Sequence, residues 1–213
     1  MVELYLSKFE EVARRLAPDA RSVLDIGCRD GILRKYLPQE VSYAGVDLSP
    51  GPNVTRVCNL EQGIPFADAS FDAVVALDVL EHVDNVWFAF DEMVRVARRQ
   101  VMVVLPNSYH FRERLRFLRG REAGKYVLGP DPIRDRHRWL LSYRSAHSFC
   151  AHQALRHGLT RSESIMVDER RNILRELLVR VLPLNLMAVA LFQVLAKPAL
   201  QASPATAPAR PAF

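Results

Sequence analysis

Val23-Leu24-Asp25-Ile26-Gly27-Cys28-Arg29-Asp30-Gly31-Ile32-Leu33 is the stretch on which the reading of this chain depends. A short apolar run meets two glycines, and apolar residues resume behind the second. This spells a buried strand, a tight turn and a helix start. Glycine at such a turn lets the backbone approach a ligand with no Cβ in between. A dinucleotide site would place G-x-G-x-x-G here, with pyrophosphate over the helix N-terminus. This turn has only Gly27 and Gly31, and Asp25 stands just ahead of them. A carboxylate there repels pyrophosphate and suits an ammonium group. The ligand expected is a nucleoside that carries an amino acid.

The next run, Ala44-Gly45-Val46-Asp47-Leu48, ends on an acid about twenty residues past the turn, where a carboxylate accepts from both ribose hydroxyls. Further out, apolar runs at 22–26, 42–46, 54–58, 73–77 and 101–105 alternate with amphipathic stretches at 32–37 and 86–99. In the second of these, Val86, Phe90, Met93, Val94 and Ala97 share one face. That rhythm belongs to βαβ units and a parallel sheet, a Rossmann-like α/β fold. Beyond residue 107 the sequence predicts helices at 111–118 and 145–157, the latter capped by Gly158, and strands at 159–167 and 189–195. Residues 170–182 read as an amphipathic helix with Ile173, Leu174, Leu177, Leu178, Val181 and Leu182 on one stripe. Residues 1–17 show apolar residues at helical spacing and read as a surface helix ended by Pro18-Asp19. One domain is expected over 1–197: a cofactor half at 20–107, an acceptor lid at 108–144 and C-terminal elements at 145–197. Residues 198–213 are Pro/Ala-rich and are expected to be a disordered tail.

The 213 residues suffice for one well-cored domain, and 49% hydrophobic with 25% charged residues is ordinary for a globular protein. Residues 1–17 carry charges throughout and do not read as a secretory signal. Cys28, Cys58 and Cys150 are odd in number and lack metal-ligand spacing, so neither a disulfide framework nor a zinc site is expected and a reducing cytosol is the natural compartment.

From residue 23 to 107 the chain resembles the class I S-adenosylmethionine-dependent methyltransferases, in the broad family that includes the ubiquinone- and menaquinone-type enzymes. The glycine turn is similar to that family's first motif, roughly V-L-D-I-G-C-G-x-G. Three further stretches follow in order: Asn59-Leu60-Glu61-Gln62-Gly63-Ile64-Pro65-Phe66 with Asp68, Ser70-Phe71-Asp72-Ala73-Val74-Val75, and Asp78-Val79-Leu80-Glu81-His82-Val83. The resemblance implies a mostly parallel seven-stranded sheet with an antiparallel final strand, and S-adenosylmethionine as cofactor. It places Asp25, Gly27, Cys28 and Gly31 around the methionine part and Asp47 on the ribose. Leu48 packs on the adenine, Asn59 and Leu60 read its edge, and Asp78 and Val79 sit beside the sulfonium. Two positions depart from the pattern. Arg29 stands where the family has its second glycine, which strains a backbone that needs positive φ. Asn59 replaces the usual Asp, keeping an acceptor oxygen without the charge.

Methyl transfer from a sulfonium depends mainly on alignment, and a hydroxyl acceptor also needs a base. The candidates are Asp78, Glu81, His82 and His137. Glu-His-Val after the fourth strand is common in the family and serves first to position the fold. Asp78, Glu81 and His82 imitate an acid–acid–His pattern that holds a divalent ion in some relatives, but no metal is assigned. His137 lies between arginines, which favour the neutral imidazole a base requires.

Residues 95–144 hold thirteen arginines and lysines against four acids. The expected acceptor is an anionic small molecule, glycan or lipid-linked metabolite. The stripe at 170–182 allows peripheral contact with an anionic membrane face, although packing on the domain is the reading preferred. Nucleic acid is disfavoured, since aromatics for base stacking are sparse. The alternatives are an RNA or protein methyltransferase, or a non-catalytic cofactor-binding scaffold, the last motivated by Arg29.

Overall fold

The computed structural model describes residues 3–5, 7–122, 124–126, 136–167 and 173–198. The expected tail from 199 onward, the start of the helix expected at 170–172 and part of the expected lid, 127–135, lie outside the described residues.

The cofactor half follows the expected rhythm. Strand β2 (Ser22–Ile26) lies between β3 (Ser42–Asp47) and β5 (Phe71–Leu77), with β4 (Arg56–Val57) beyond β3 and β6 (Ala97–Pro106) beyond β5. All these pairings are parallel. Strand β8 (Ala190–Ala196) runs antiparallel between β6 and β7 (Thr160–Met166), as the resemblance implied for the last strand.

The sheet has eight strands rather than seven. The extra one, β1 (Glu3–Leu4), adds to the outer edge of β7 in parallel register. Its cause is local. The Ser7 side chain caps helix α1 (Lys8–Arg15), so the helix starts later than the apolar spacing suggests. The backbone ahead of the cap pairs with the sheet, and the Tyr5 amide donates to the Ile165 carbonyl at 3.1 Å. A second boundary moves for a similar reason. Helix α2 (Val86–Val96) stops where Ala97 turns extended and opens β6 directly, not at residue 99. The five apolar residues read onto one face do point inward: Phe90, Met93, Val94 and Ala97 are buried and Val86 packs against them.

The sheet separates two apolar layers by strict alternation. Leu24, Ile26, Val74 and Ala76 face α2 and helix α4 (Tyr143–His157), whereas Val23, Val75, Leu77, Met102 and Phe192 face α1. Helix α4 is fixed at both ends, by a Ser142–Ser145 capping box and by Gly158 in the left-handed region. Helix α3 (Phe111–Leu118) matches the expected span. Helix α5 (Ile173–Leu178) and the short α6 (Leu184–Met187) lead into β8. The expected stripe on 170–182 is not core at four of its positions, because Ile173, Leu177, Val181 and Leu182 are exposed. Leu178 is half-buried.

Candidate active site

The C-terminal ends of β2, β3 and β5, with the turns that leave them, open onto one cleft of about 620 Å3. A crevice at the carboxyl ends of parallel strands is where α/β sheets bind ligands. Of the residues expected around a cofactor, Asp25, Gly27, Cys28, Asp47, Leu48, Asn59, Leu60, Asp78 and Val79 all line it. Gly31 does not. It sits behind the wall at φ +65°, where an added Cβ would lie 2.5 Å from the Asn53 Cβ, so its role is to close the turn.

The turn after β2 works through its backbone. The Gly27 and Cys28 amides both donate to the Val46 carbonyl, which folds the turn over β3. Gly27 has φ +67°, and a Cβ on it would come within 2.6 Å of Val79 Cγ2. Arg29 adopts the positive φ its position demands, +48°. A single non-glycine residue held there costs on the order of 1 kcal/mol. The Arg29 amide donates to Asp47 Oδ2 at 3.0 Å and helps hold the conformation, while the Ser49 amide donates to Oδ1 at 3.2 Å. The ribose carboxylate is thus fixed at the tip of β3 by the turn it faces.

Asp25 lies deeper, 4% exposed, and accepts a hydrogen bond from the Tyr43 hydroxyl at 2.8 Å. Burial pushes its carboxyl up to about 7, against the lowering effect of the Tyr43 hydrogen bond. Asn59 caps the turn at Leu60–Gln62, its Oδ1 accepting from the Glu61 amide at 3.0 Å. The oxygen expected to read adenine therefore already has a local donor.

Asp78 closes β5 with φ +58° and pairs with Lys8 Nζ at 2.5 Å. Lys8 reaches the cleft from α1, which the sequence reading treated as a surface helix; one lysine on an amphipathic helix gives no signal of this. Past Asp78, the turn Leu80–His82 meets the end of the expected lid. The Arg138 and Trp139 amides donate to the Glu81 carbonyl at 2.8 and 3.4 Å, and Trp139 Nε1 donates to the Val83 carbonyl at 2.7 Å. Residues 136–139 are thereby fastened to the 80–83 turn, and Lys125, Arg136 and Arg138 line the same cleft. Residues 136–139 therefore form an attached wall of the cleft.

His82 and His137, far apart in sequence, come together here with ring centroids 4.7 Å apart, edge to face. His82 Nδ1 lies 3.0 Å from the Arg136 carbonyl, and His137 Nδ1 lies 3.2 Å from the Tyr126 hydroxyl. Both Nε2 atoms are 3.9 Å from Glu81 Oε1. Glu81 is 1% exposed, and among the described residues neither of its carboxyl oxygens has a hydrogen-bond partner. Burial pushes its carboxyl up to about 8, with the charge of Asp78 adding to the rise. The expected catalytic candidates fall into two groups: Asp78 with Lys8, and His82 with His137 around Glu81.

Residues 24–105 match the family described as Methyltransferase domain. The chain is 32% identical over 105 residues to an uncharacterized methyltransferase of Mycobacterium sp. (strain JLS), covering 45% of this chain and 42% of the relative. It is 29% identical over 106 residues to the ubiquinone biosynthesis O-methyltransferase of Hahella chejuensis (strain KCTC 2396), covering 43% and 44%. The chain thus matches less than half the length of these curated relatives. Among solved structures it is similar to an S-adenosylmethionine-dependent methyltransferase of Thermotoga maritima described as a possible histamine N-methyltransferase. There the TM-score is 0.58 at 14% identity, over 89% of this chain and 88% of that one.

Proposed function

We propose, from the premise that this chain is a class I S-adenosylmethionine-dependent methyltransferase over residues 24–105, that it methylates a small anionic acceptor at the Asp78–His82 end of the cleft. One observation carries the reading. The cleft that holds Asp25 and Asp47 is also lined by Lys125, Arg136 and Arg138, the last two fastened to the Leu80–His82 turn. Carboxylates suit a cationic nucleoside, and a basic wall beyond them suits an acceptor with a negative head.

The residues present fit the cofactor. Asp47, oriented by the Arg29 and Ser49 amides, has lone pairs left for two ribose hydroxyls. Leu48, 70% exposed at the rim, offers an apolar surface to a flat base. Asp25, ionised above about pH 7, complements an ammonium group. When bound, S-adenosylmethionine supplies a methyl group already activated by its sulfonium charge. The chain's own work is then to hold the acceptor in line and shed its proton. A carbonyl oxygen only accepts, so the Arg136 carbonyl fixes the His82 proton on Nδ1 and turns the Nε2 lone pair towards Glu81.

The test is transfer of radiolabelled methyl from S-adenosylmethionine to fractionated cell extract. Label is expected in small molecules retained on an anion exchanger. Label confined to RNA or protein would favour those acceptors instead, and binding of the cofactor with no label anywhere would favour a scaffold.

A second reading concerns where the enzyme works. Ile173, Leu177 and Val181 are exposed at helical spacing, and α3 exposes Phe117 and Leu118 among Arg112, Arg114, Arg116, Arg119 and Arg121. Apolar side chains beside arginines suit the surface of an anionic leaflet. No helix among the described residues is long and apolar enough to cross a membrane, so the contact proposed is peripheral.

A further inference from the structure

We propose that Lys8 sets the cleft's selectivity between the cationic cofactor and its uncharged product, S-adenosylhomocysteine, by competing with the sulfonium for Asp78. This selectivity rests on the methyltransferase reading above, which puts the methyl group at the Asp78–His82 end of the cleft.

Lys8 Nζ lies 2.5 Å from Asp78 Oδ2, and both residues line the cleft. Their side chains are 28% and 37% exposed, so the pair is open to whatever enters. An ammonium already seated on this carboxylate cancels most of its pull on a second cation, and a sulfonium brought beside it meets like charge as well. Methyl transfer removes that conflict. The acceptor's lone pair forms the new bond to carbon, and the electron pair of the broken carbon–sulfur bond stays on sulfur as a neutral thioether. Lys8 then holds Asp78 beside a group without charge. Cofactor and product share adenine, ribose and the amino-acid end, so this pair is where the protein can tell them apart.

Lys8 is free to respond, because α1 is fixed without it. Val12 is fully buried beneath the helix. At its C-terminal end the Ala17 amide donates to Gln100 Oε1 at 3.0 Å, and Gln100 Nε2 donates to the Arg15 carbonyl at 3.1 Å. The backbone stays while the lysine swings on its flexible four-carbon stem. A second seat is at hand. Lys8 Nζ lies 5.4 Å from the centre of the Phe9 ring, within cation–π reach, and Phe9 lines the same cleft. An ion pair that only tied α1 to β5 would support both ligands alike. One that a sulfonium must displace weights the competition towards product, so methyl transfer slows as product accumulates.

The experiment is calorimetry of the full chain with three ligands: S-adenosylmethionine, S-adenosylhomocysteine, and sinefungin, in which an amine-bearing carbon replaces the sulfonium and keeps a positive charge. Lys8→Met is expected to shift the preference towards S-adenosylmethionine over S-adenosylhomocysteine by about three- to fivefold, the scale of a partly exposed ion pair. Sinefungin should follow the cofactor, and Lys8→Arg should keep the wild-type ratio. Asp78→Asn should shift the ratio the other way. Lys8 also acts on Asp25, but Asp25 is assigned to the ammonium that both ligands carry, so the ratio cancels that effect. An unchanged ratio in Lys8→Met overturns the proposal. So does equal weakening of both ligands, the result if Lys8 held their shared carboxylate. Should Lys8→Met misfold by circular dichroism, Asp78→Asn decides: a shift towards product supports the competition, and an unchanged ratio overturns it. Wild type that binds none of the three ligands fails the methyltransferase reading itself, whereas binding with an unmoved ratio removes only the role of Lys8.

Discussion

At the cofactor end of the cleft the carboxylates are answered by their own neighbourhood. Asp47 is held by amides of the adjoining turns, and Asp25 by Tyr43 on the next strand. At the acceptor end the Glu81 carboxyl has no hydrogen-bond partner among the described residues, and the two imidazoles beside it come from segments that only the fold brings together. The first arrangement is complete as folded and awaits a ligand of fixed shape. The second leaves a buried carboxyl that desolvation pushes up to about 8. A site assembled from adjacent turns tolerates little change in its backbone, whereas a site assembled from distant side chains can lose one without disturbing the fold.

That contrast sets the largest effect expected. Gly27→Val puts side-chain atoms where a Cβ alone would already approach Val79 to 2.6 Å, at a φ of +67°. Calorimetry should show no S-adenosylhomocysteine binding, and the melting temperature should fall. Cofactor affinity within threefold of wild type would mean that the turn does not shape the cofactor end.

A pair of variants tests whether the two ends are separable. Asp47→Ala removes charged hydrogen bonds worth about 1.5–3 kcal/mol, roughly ten- to hundredfold in cofactor affinity. His137→Ala should leave that affinity within twofold and abolish methyl transfer. If both variants lose cofactor affinity equally, the ends form one unit and the comparison fails.

What the sequence made legible follows the same line. Strand, glycine turn and Asp47 lie within one βαβ unit, so spacing alone placed them in one cleft. Unbroken apolar runs likewise marked β5 and β6, because both faces of those strands are buried. Gly31 was misread because a turn glycine that touches ligand and one that only packs on Asn53 look alike in sequence. His137 was flagged for its arginine neighbours, but its partnership with Glu81 depends on a long-range contact that no periodicity encodes. Lys8 and β1 were missed for a related reason. What they touch is set by β5 and β7, and nothing local distinguishes them from a surface helix.

A smaller effect is expected from pH. The Asp25 carboxyl, raised from 3.8 to about 7 by burial, keeps its proton in the folded apo protein at acidic pH, and the unfolded chain loses it first. Its contribution therefore lowers apo stability as pH climbs from about 4 to 7. Cofactor binding has the opposite slope, because an ammonium ligand favours the ionised form. Affinity should rise roughly tenfold between about pH 6 and 8 and level off above. Lys8, Asp47 and Tyr43 act on the same carboxyl, so the control is Asp25→Asn, whose affinity should vary with pH less than that of wild type. An equal slope in that variant would assign the effect to another group.

The smallest effect concerns a surface that belongs to neither end of the cleft. Leu177 is 53% exposed on α5, with Ile173 exposed one turn before it and Val181 exposed in the turn that follows the helix. A charge placed at an exposed position changes stability by about 0.5 kcal/mol or less. Near a helix C-terminus an acidic residue adds a few tenths more against the dipole. Leu177→Asp should therefore melt within a degree or two of wild type. Had the stripe been core, the same change would bury an unpaired charge and cost about 4 kcal/mol or more. Stability thus decides between surface and core, and flotation decides what the surface is for. With vesicles of one-third phosphatidylserine at low salt, wild type is expected to float. Leu177→Asp should float several-fold less, because it loses apolar insertion and adds like charge. Wild type that stays in solution with these vesicles removes the leaflet reading, and a large drop in melting temperature for the variant would return the stripe to the core.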